Sequence, residues 1–464
     1  MDAFCALSTP AGISGIAVIR ASGQGVIEGI AEAVRVLRTT GDTTGVSLTD
    51  LGGYEAAFCA FADPKTQEEI DRVVVTVYRS PYSYTGDDMI EISCHGGSAV
   101  RQEILRVLNS LGIRPAGPGE FTRTAFINGK LDLTSAEAVM NVIDADSKRA
   151  LEAGNTQLMG ALRDKITQVE NKLYGVLSSI EMMLEFPEHD DTPESLEAVK
   201  VKLSEAIDDI NRLSSSYGRG RLLVERMKVA IAGLPNAGKS TLLNFFAGFD
   251  RAIVTDIPGT TRDTLELNAE VDGIPVTFID TAGLRQTEDA VEKIGVELAG
   301  RAAREADLIL YLIAPTDSFE ETRKALDSFD KDKLRLVFTK SDAGVNPEKN
   351  KLSEIVADPG YCCEISVRQD QNTESITKLI ADAYEKAGGI NASDVTVISG
   401  RHYDLLLKAS DKLNQAMELL QTDMGIDVCS QVIRAALDDT GEITGRVVSD
   451  ELVDTIFSRF CIGK

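Results

Sequence analysis

Residues 233–241 read GLPNAGKST, and this stretch decides the fold of the chain around it. It fits the pattern G-x-x-x-x-G-K-[ST], follows the apolar run MKVAIAG of residues 227–233, and leads into a helix that begins near Thr241. In such a strand, loop and helix, backbone N–H groups and the helix dipole together form a phosphate site. Lys239 is expected to reach the β and γ phosphates, and the Ser240 hydroxyl to hold Mg²⁺. The stretch therefore predicts a nucleotide-binding P-loop.

Composition limits what else the chain can be. Its 464 residues are enough for two to four domains. A hydrophobic fraction of 43% and a charged fraction of 26% are typical of a soluble globular protein. The net charge of −25 argues against a nonspecific nucleic-acid coat protein, because phosphate binding depends on Lys and Arg. The seven cysteines lack metal-ligand spacing. We expect a cytoplasmic protein with free thiols that does not enter a membrane, since the chain has neither a signal-peptide pattern nor a long apolar span.

Four regions follow one another along the chain. Residues 1–117 carry alternating strands and a helix that stops at Gly112, which is typical of an α/β domain. Residues 118–218 and 390–464 have helical periodicity, whereas residues 219–389 alternate apolar strands with helices. The predicted fold class is a multidomain α/β and all-α protein. A doubly wound P-loop domain is inserted between two parts of a helical domain, behind an N-terminal α/β domain.

Two features of the helical region predict its local structure. Thr134 or Ser135 is expected to cap the first helix, because side-chain oxygens at that position accept from free backbone N–H groups. Apolar residues then recur at helical intervals on one face, and they are Val169, Leu173, Leu177, Ile180 and Leu184.

Two polar stretches leave alternatives open. CHGGS, residues 94–98, is a glycine turn between a strand and a helix, and it is either an anion site or a tight connection, with the connection favoured. A second stretch carries four basic residues just before the P-loop strand. They form either a local nucleic-acid patch or a solvated linker, and they are Arg219, Arg221, Arg226 and Lys228.

Three further motifs specify a GTPase. DIPGTTRD, residues 256–263, is a polar glycine loop in which Thr261 completes the Mg²⁺ shell when the γ phosphate is present. DTAG, residues 280–283, follows a strand and places Asp280 near Mg²⁺ through water and the Gly283 N–H near the γ phosphate. TKSD, residues 339–342, follows another strand, and Asp342 accepts both guanine N–H donors, which adenine lacks. ISVR, residues 365–368, is expected to pack on the base. The predicted nucleotide site comprises Asn236, Ala237, Gly238, Lys239, Ser240, Thr241, Thr255, Asp256, Ile257, Pro258, Gly259, Thr260, Thr261, Asp280, Thr281, Ala282, Gly283, Thr339, Lys340 and Asp342.

The catalytic group of this GTPase is not an ordinary one. Ras-type GTPases place a water-orienting glutamine directly after DTAG, but this chain has Leu284, which cannot polarise water. Asn236 suggests a monovalent cation instead, because its side-chain oxygen and backbone carbonyls near Thr255 and Ile257 can hold K⁺ where an arginine finger would put its charge. The residue that orients the water stays open at this point among Glu288, Asp289 and Glu292.

Seven stretches spread over the chain carry a family resemblance: GISGIAVIR, YTGDDMIEISCHGG, PGEFTRTAFINGKLDLTSAEA, GLPNAGKST, DIPGTTRD, DTAGLR and the terminal FCIGK. They resemble the MnmE (TrmE) tRNA-modification GTPases over essentially the whole length. The resemblance implies an N-terminal domain that binds folate and forms a homodimer, a discontinuous helical domain and an inserted GTPase domain. The GTPase domains meet across the dimer with GTP and K⁺ in place, and this meeting triggers hydrolysis. The resemblance further implies that Glu292 is catalytic and orients the water, that Ser240 and Thr261 bind Mg²⁺, and that K⁺ is surrounded by Asn236, Thr255, Ile257 and Thr260.

The same resemblance implies a folate site and a reaction. Arg20, Glu91, Lys130 and Lys464 would contact 5-formyltetrahydrofolate or methylenetetrahydrofolate, and Cys461 would be the candidate catalytic thiol. With the flavoprotein MnmG, the family joins a folate one-carbon unit to C5 of the tRNA wobble uridine, giving an aminomethyl or carboxymethylaminomethyl group.

One residue departs from the family pattern. Thr339 stands where the family usually has Asn. We expect this change to remove a side-chain contact that braces the loop and so to weaken guanine affinity, while Asp342 keeps the specificity.

Two other functions compete with this interpretation. The first is a nucleotide-switched ribosome-assembly factor similar to Era, which would have no use for FCIGK or for the N-terminal domain. The second is a folate-binding scaffold whose GTPase controls only assembly with a partner. Replacing Cys461 by Ser would separate this scaffold from direct thiol chemistry.

Overall fold

The computed structural model describes most of the chain and divides it into two compact units. The first unit comprises residues 1–140, 158–167 and 437–464, and the second comprises residues 141–157 and 168–436. The residues described are 2–38, 46–145, 147–185, 196–224, 226–248, 253–254, 266–280, 306–356, 358–386, 397–421 and 426–463.

The first unit is built on a seven-stranded sheet with the order β3-β4-β5-β6-β2-β1-β7. All neighbouring strands are antiparallel except β1 and β7. Alternation along β5 puts Val73, Val75 and Val77 in the core, while Val74 is 43% exposed on the other face. The strands are β1 (Ala3–Leu7), β2 (Ile16–Gly23), β3 (Val34–Arg38), β4 (Glu55–Ala62), β5 (Glu69–Tyr78), β6 (Met89–His95) and β7 (Arg114–Pro115).

Helices cover the buried face of this sheet. Ile27 and Ile30 of α1 (Val26–Ala31) and Ile104 and Leu108 of α2 (Ser98–Ser110) belong to the same core as the inward-facing strand residues. Gly112 has a φ of 87°, so the chain turns sharply after α2, as the sequence predicts.

Two helices follow, α3 (Glu120–Ile127) and α4 (Leu133–Ile143). The expected cap of α4 is wrong by two or three residues. Asp132 accepts from the Ser135 N–H at 3.0 Å and from the Ser135 hydroxyl at 2.6 Å, so Asp132 is the cap. Thr134 and Ser135 lie inside the first turn because Leu133 is already helical.

The end of the chain packs in the first unit. Helix α15 (Asp450–Phe457) begins at Ser449, whose hydroxyl accepts from the Leu452 N–H at 3.3 Å. Phe457 and Phe460 share a small apolar core with Leu133 and Ala136 of α4. The chain is therefore anchored by one aromatic side chain at the end of α15 and by another just after it.

The second unit contains another seven-stranded sheet, with the order β14-β13-β12-β8-β11-β10-β9. Strand β10 is antiparallel to both of its neighbours, and the remaining pairs are parallel. The strands are β8 (Met227–Gly233), β9 (Ile253–Val254), β10 (Glu266–Val271), β11 (Ile274–Asp280), β12 (Leu308–Ile313), β13 (Leu334–Phe338) and β14 (Cys362–Glu364).

Both faces of this sheet are buried, as the continuous apolar strands predict. In β8, Val229 and Ile231 belong to one core cluster, whereas Ala230 and Ala232 belong to the cluster on the opposite face. Helices contribute to each cluster, which gives the doubly wound arrangement expected from the sequence. The helices are α9 (Lys239–Ala247), α10 (Phe319–Leu326), α11 (Lys349–Ser353) and α12 (Glu374–Lys386).

Helices also make up much of the second unit. Helix α13 packs along α7. On α6, Val169, Leu173, Leu177 and Ile180 are buried, but Leu184 is 44% exposed because it lies in the last turn, beyond the core. The helices are α5 (Lys148–Leu158), α6 (Ala161–Glu185), α7 (Leu196–Ser215), α8 (Tyr217–Val224), α13 (Gly400–Gln421) and α14 (Ile426–Thr444).

A membrane span would need a long helix of high hydropathy. Among the described residues, no helix combines that length with that hydropathy.

The domain boundaries drawn from the sequence remain predictions.

Candidate functional site

The P-loop joins the end of β8 to the start of α9, as the sequence predicts. Gly233 has a φ of 148°, and a Cβ there would lie 2.5 Å from the Leu312 carbonyl oxygen of the neighbouring strand, so only glycine fits. The Lys239 ammonium donates to the carbonyls of Gly233 at 2.7 Å and Leu234 at 2.8 Å. Ser240 is exposed at the first turn of α9. These residues fit a phosphate chain with Mg²⁺, because the Lys239 ammonium lies at the start of α9, where a helix N-terminus attracts anions, and the Ser240 hydroxyl is accessible.

Thr339 braces the P-loop, so the expected loss of a contact at this position is wrong. Its side chain is buried, and its hydroxyl donates to the Ala237 carbonyl at 2.7 Å. The Thr339 N–H donates to the Ile313 carbonyl at 2.8 Å, which fixes the residue at the end of β13. A hydroxyl therefore makes a link from the base loop to the P-loop across 102 residues. The reason for expecting weaker guanine affinity no longer holds.

Lys340 makes a second link between the same two loops. It has a left-handed backbone with φ 55°, and its ammonium donates to the Asn236 carbonyl at 2.7 Å. Asn236 itself has φ 62°, a conformation that Asn adopts more readily than most side chains. The base loop and the phosphate loop are thus joined by two side chains.

Asp342 is held in place for base recognition. One of its carboxylate oxygens accepts from the Ser366 hydroxyl at 2.6 Å, and Ser366 is fully buried. Ser366 belongs to ISVR, which the sequence places against the base, but its bond to Asp342 was not predicted. The other carboxylate oxygen of Asp342 is left to accept guanine N–H groups.

Two of the four basic residues before the P-loop, Arg221 and Arg226, have structural partners and fit neither expected alternative; the side chain of Arg219 lies outside the described residues. Arg221 forms an ion pair with Asp307 through Nη2, and Arg226 donates to the carbonyls of Ala269 at 3.3 Å and Val276 at 3.1 Å. Asp307 also accepts from the Lys228 N–H at 2.9 Å. Arg221 and Arg226 therefore brace the end of the sheet.

Several predicted site residues lie outside the described residues. For Asp280, the backbone ends β11, but its side chain is also outside the description. The residues outside are Thr255, Asp256, Ile257, Pro258, Gly259, Thr260, Thr261, Thr281, Ala282, Gly283, Leu284, Glu288, Asp289, Glu292 and Lys464.

In the first unit, Arg20 and Glu91 are cross-strand partners on β2 and β6. Arg20 donates to one carboxylate oxygen of Glu91 from Nε at 3.0 Å and from Nη2 at 2.7 Å. Tyr78 donates to the other oxygen at 3.1 Å. Burial, followed by the charge of Glu91, raises the pKa of Tyr78, so this phenol remains a donor at neutral pH. The contact of Tyr78 has no local signal in the sequence.

Aromatic rings flank the Arg20 guanidinium. Its carbon lies 5.4 Å from the centroid of the Tyr84 ring and 5.7 Å from that of Phe121. Lys130, the third predicted folate contact, donates to the Pro81 carbonyl at 2.9 Å. The charge pair and the flat rings around Arg20 suit a flat heterocycle, and a lysine such as Lys130 suits a carboxylate tail.

The FCIGK segment runs beside the start of α3 and the end of β1. The Cys461 carbonyl accepts from the Gly119 N–H at 3.3 Å, and Ile462 forms a β-bridge with Pro118. Ser8 donates to the Gly463 carbonyl at 3.1 Å. Phe121, which flanks Arg20, lies two residues after Gly119, so tertiary structure brings the terminal segment toward the Arg20 pair. The Cys461 residue is exposed, whereas Cys5, Cys59, Cys94 and Cys429 are buried.

The CHGGS turn is a tight connection, as favoured from the sequence. A Cβ at Gly96 would lie 2.2 Å from the Ser14 Oγ, so this close approach requires glycine. The His95 side chain is engaged elsewhere, since its Nδ1 lies 2.7 Å from Asp71 Oδ1.

Two surface cavities lie among other residues. One of about 550 Å³ is lined by Lys172, Glu205, Asp208, Asn211, Arg212 and Ser215. The other, of about 290 Å³, includes Arg335, Tyr361 and Lys386. Neither contains a predicted site residue, and the braced loops above identify the nucleotide site better than cavity size does.

A P-loop and an aspartate-bearing base loop, both at the carboxyl ends of strands in a doubly wound sheet, define a P-loop GTPase. Comparison with known proteins extends this class to the whole chain. The profile of the MnmE helical domain matches residues 133–461, and that of the GTP-binding protein TrmE N-terminus matches residues 3–130. The chain belongs to the MnmE family of tRNA modification GTPases.

Individual relatives match over their full length. The tRNA modification GTPase MnmE of Natranaerobius thermophilus is 38% identical, covering 100% of this chain and 99% of that protein. The MnmE of Caldicellulosiruptor saccharolyticus is 37% identical, with 100% and 99% covered. That of Lactobacillus gasseri is 36% identical, with 100% and 98% covered. Among solved structures, the G domain of the T. maritima FeoB iron transporter has 23% identity and a TM-score of 0.27, covering 34% of this chain and 98% of that chain.

Proposed function

We propose that this protein is a K⁺-activated GTPase that acts with the flavoprotein MnmG on tRNA. Together they install a folate-derived aminomethyl or carboxymethylaminomethyl group at C5 of the wobble uridine. The protein acts as a cytoplasmic homodimer, and hydrolysis is coupled to dimerisation of its GTPase domains. One observation carries the proposal: a single chain of this family combines a braced GTP site with the Arg20–Glu91 pair beside FCIGK.

The nucleotide site gives each described residue a task. Bound GTP supplies the phosphoanhydride bond to be cleaved, and Mg²⁺ neutralises the charge that develops on its phosphates. Lys239 exchanges its bonds to the Gly233 and Leu234 carbonyls for phosphate oxygens. Ser240 would hold Mg²⁺ together with Thr261, which lies outside the described residues, and Asp342 would select guanine.

Potassium activation is supported by the loop around Asn236. The bond from Lys340 and the left-handed backbone conformation fix the backbone of Asn236 in the P-loop, so its side chain starts from a fixed position. With Thr255, Ile257 and Thr260 it would surround K⁺, and Glu292 would orient the attacking water because Leu284 cannot.

Replacement of Na⁺ by K⁺ at constant ionic strength tests this. We expect GTP turnover to be much faster in K⁺, and the difference to disappear in Asn236→Ala. Equal rates for the intact protein would reject potassium activation. Glu292→Ala should slow turnover while GTP binding stays nearly unchanged.

Folate binding is supported by the chemistry of the first unit. Glu91 retains lone pairs that can accept from the N–H groups of a pterin, while Arg20 and the two aromatic rings provide charge and flat surface. Lys130 and Lys464 suit the glutamate tail. Cys461 is exposed at the same end and is the candidate thiol.

A nucleoside profile of tRNA tests the function as a whole. Cells lacking the gene are complemented with the intact protein, with Lys239→Ala, or with Lys324→Ala, which changes an exposed lysine of α10 as a matched control. We expect the C5-modified wobble uridine to disappear and to return only with the intact protein and the control. An unchanged profile would favour the assembly factor similar to Era. If the modified uridine does depend on this protein, complementation with Cys461→Ser separates thiol chemistry, which the variant would lose, from a scaffold role, which it would keep.

A further inference from the structure

The segment after the guanine loop contains a buried asparagine with an unusual set of bonds. Val345 is 56% exposed, yet the next residue, Asn346, is only 3% exposed. The Asn346 amide nitrogen donates to the carbonyls of Ala314 at 3.0 Å and Asp317 at 3.1 Å. Its amide oxygen accepts from the Glu348 N–H at 2.9 Å. Both donors of the amide are used, together with one acceptor position.

The partners of Asn346 form a rigid turn directly after β12. The Asp317 N–H donates to the Ala314 carbonyl at 3.1 Å, and the Asp317 carboxylate accepts from the Ala314 N–H at 2.8 Å. Asn346 adds its two bonds to the carbonyls of this closed turn. The loop that carries Asp342 is therefore tied to the closed turn at the carboxyl end of β12.

Besides Lys340, side chains fix the guanine loop at each end and in the middle. Thr339 ties its start to the P-loop, Ser366 holds Asp342, and Asn346 ties its end to the turn after β12. Between Asp342 and Asn346 lies Gly344 with φ 134°, which does not restrain the backbone by itself. We propose that Asn346 is a positioning residue for guanine recognition, which sets the place of the Asp342 carboxylate through the end of the loop.

The expected consequence is a loss of base selectivity. Guanine presents both a ring N–H and an exocyclic amino group, whereas hypoxanthine lacks the amino group. A well-placed Asp342 carboxylate binds both groups and favours GDP over inosine diphosphate. If the loop end is released, the bond to the amino group weakens, and the preference falls because a hydrogen bond to a charged group depends on geometry.

The substitution Asn346→Asp tests the proposal in the full-length protein. It keeps the shape and can accept from the Glu348 N–H, but it cannot donate to the two carbonyls. Val345→Ala is the neighbouring control, and Asn414→Asp is a matched control, since the Asn414 amide donates to the Ser410 carbonyl within α13. Dissociation constants for GDP and inosine diphosphate are measured with a fluorescent nucleotide, and circular dichroism checks folding. A second variant, Asn346→Ser, is measured in case the first does not fold.

In the intact protein the dissociation constant for inosine diphosphate exceeds that for GDP. We expect the ratio of the first to the second to fall by about tenfold in the Asn346 variants and to stay constant in both controls. A general loss of stability would weaken both nucleotides equally and leave the ratio unchanged, and that result overturns the proposal. A fall of the same size in Val345→Ala would also overturn it, because the effect would then not depend on the amide.

Discussion

Replacing Thr339 by valine removes one hydroxyl from the link between the guanine loop and the P-loop while keeping the side-chain shape. The hydroxyl donates to the Ala237 carbonyl at 2.7 Å, and both residues are buried. A neutral buried hydrogen bond contributes about 1 kcal/mol, and leaving its acceptor unpaired adds a cost of about 1 kcal/mol or more. Since the link orders the P-loop, we expect its loss to make the free energy of nucleotide binding less favourable by this amount. A loss of about 1 to 2 kcal/mol corresponds to a fivefold to thirtyfold weaker affinity.

The assay for this prediction is titration with a fluorescent guanine nucleotide, and the enzyme is checked by its thermal midpoint. Thr339→Ser is the matched control, because it retains the hydroxyl and should bind within about twofold of the intact protein. Thr339→Asn restores the usual family residue and should bind at least as well. Equal affinity of Thr339→Val and the intact protein would refute the reasoning, since the bond would then not order the loop.

Two further predictions concern single residues. Gly233→Ala should abolish nucleotide binding and cost about 1 to 3 kcal/mol of stability, because its Cβ would lie 2.5 Å from the Leu312 carbonyl oxygen. Nucleotide titration and thermal melting measure both effects. In the same experiments Gly248→Ala should be tolerated, because the nearest atom to its Cβ would be at 3.3 Å. Burial acts to raise the pKa of Glu120, but Arg114 and the Gly117 N–H outweigh it and hold that pKa below its ordinary value of 4.5. The charged form therefore stabilises the fold above pH 4.5, and its contribution is lost as the pH falls below that value through the lower pKa of the folded state. Glu120→Gln should cost about 1 to 2 kcal/mol in urea unfolding at pH 7, and the cost should shrink steadily as the pH is lowered below 4.5. A difference that stays constant over this range would contradict the ion pair.

Local patterns predicted the strands and helices that carry the nucleotide site. Residues 227–233 form β8 and α9 follows the loop, because an unbroken apolar run and a glycine loop act over a few neighbouring residues. The helix cap shows where this local reasoning fails. Asp132, Thr134 and Ser135 are all acceptable caps by composition, and only the backbone conformation at Leu133 decides among them.

Contacts between distant residues could not be read from the sequence. Arg221 lies on α8, shortly before β8, and Asp307 directly precedes β12, yet they pair across 86 residues because β8 and β12 are neighbours in the sheet. The four basic residues looked like one cluster in the sequence, and the fold gives Arg221 and Arg226 separate partners. Tyr78 was missed for the same reason, since its partner Glu91 lies on the adjacent strand.

The sequence by itself determined the class of the protein, the order of its elements and the residue types at the GTP site, because these depend on short motifs and on periodicity. Only the tertiary structure decided how the site is held together. Thr339, Ser366 and Asn346 become parts of the guanine site through bonds that cross 102, 24 and 32 residues. Such bonds depend on which strands lie side by side, and the identity of a single hydroxyl or amide carries no information on that until the sheet has formed.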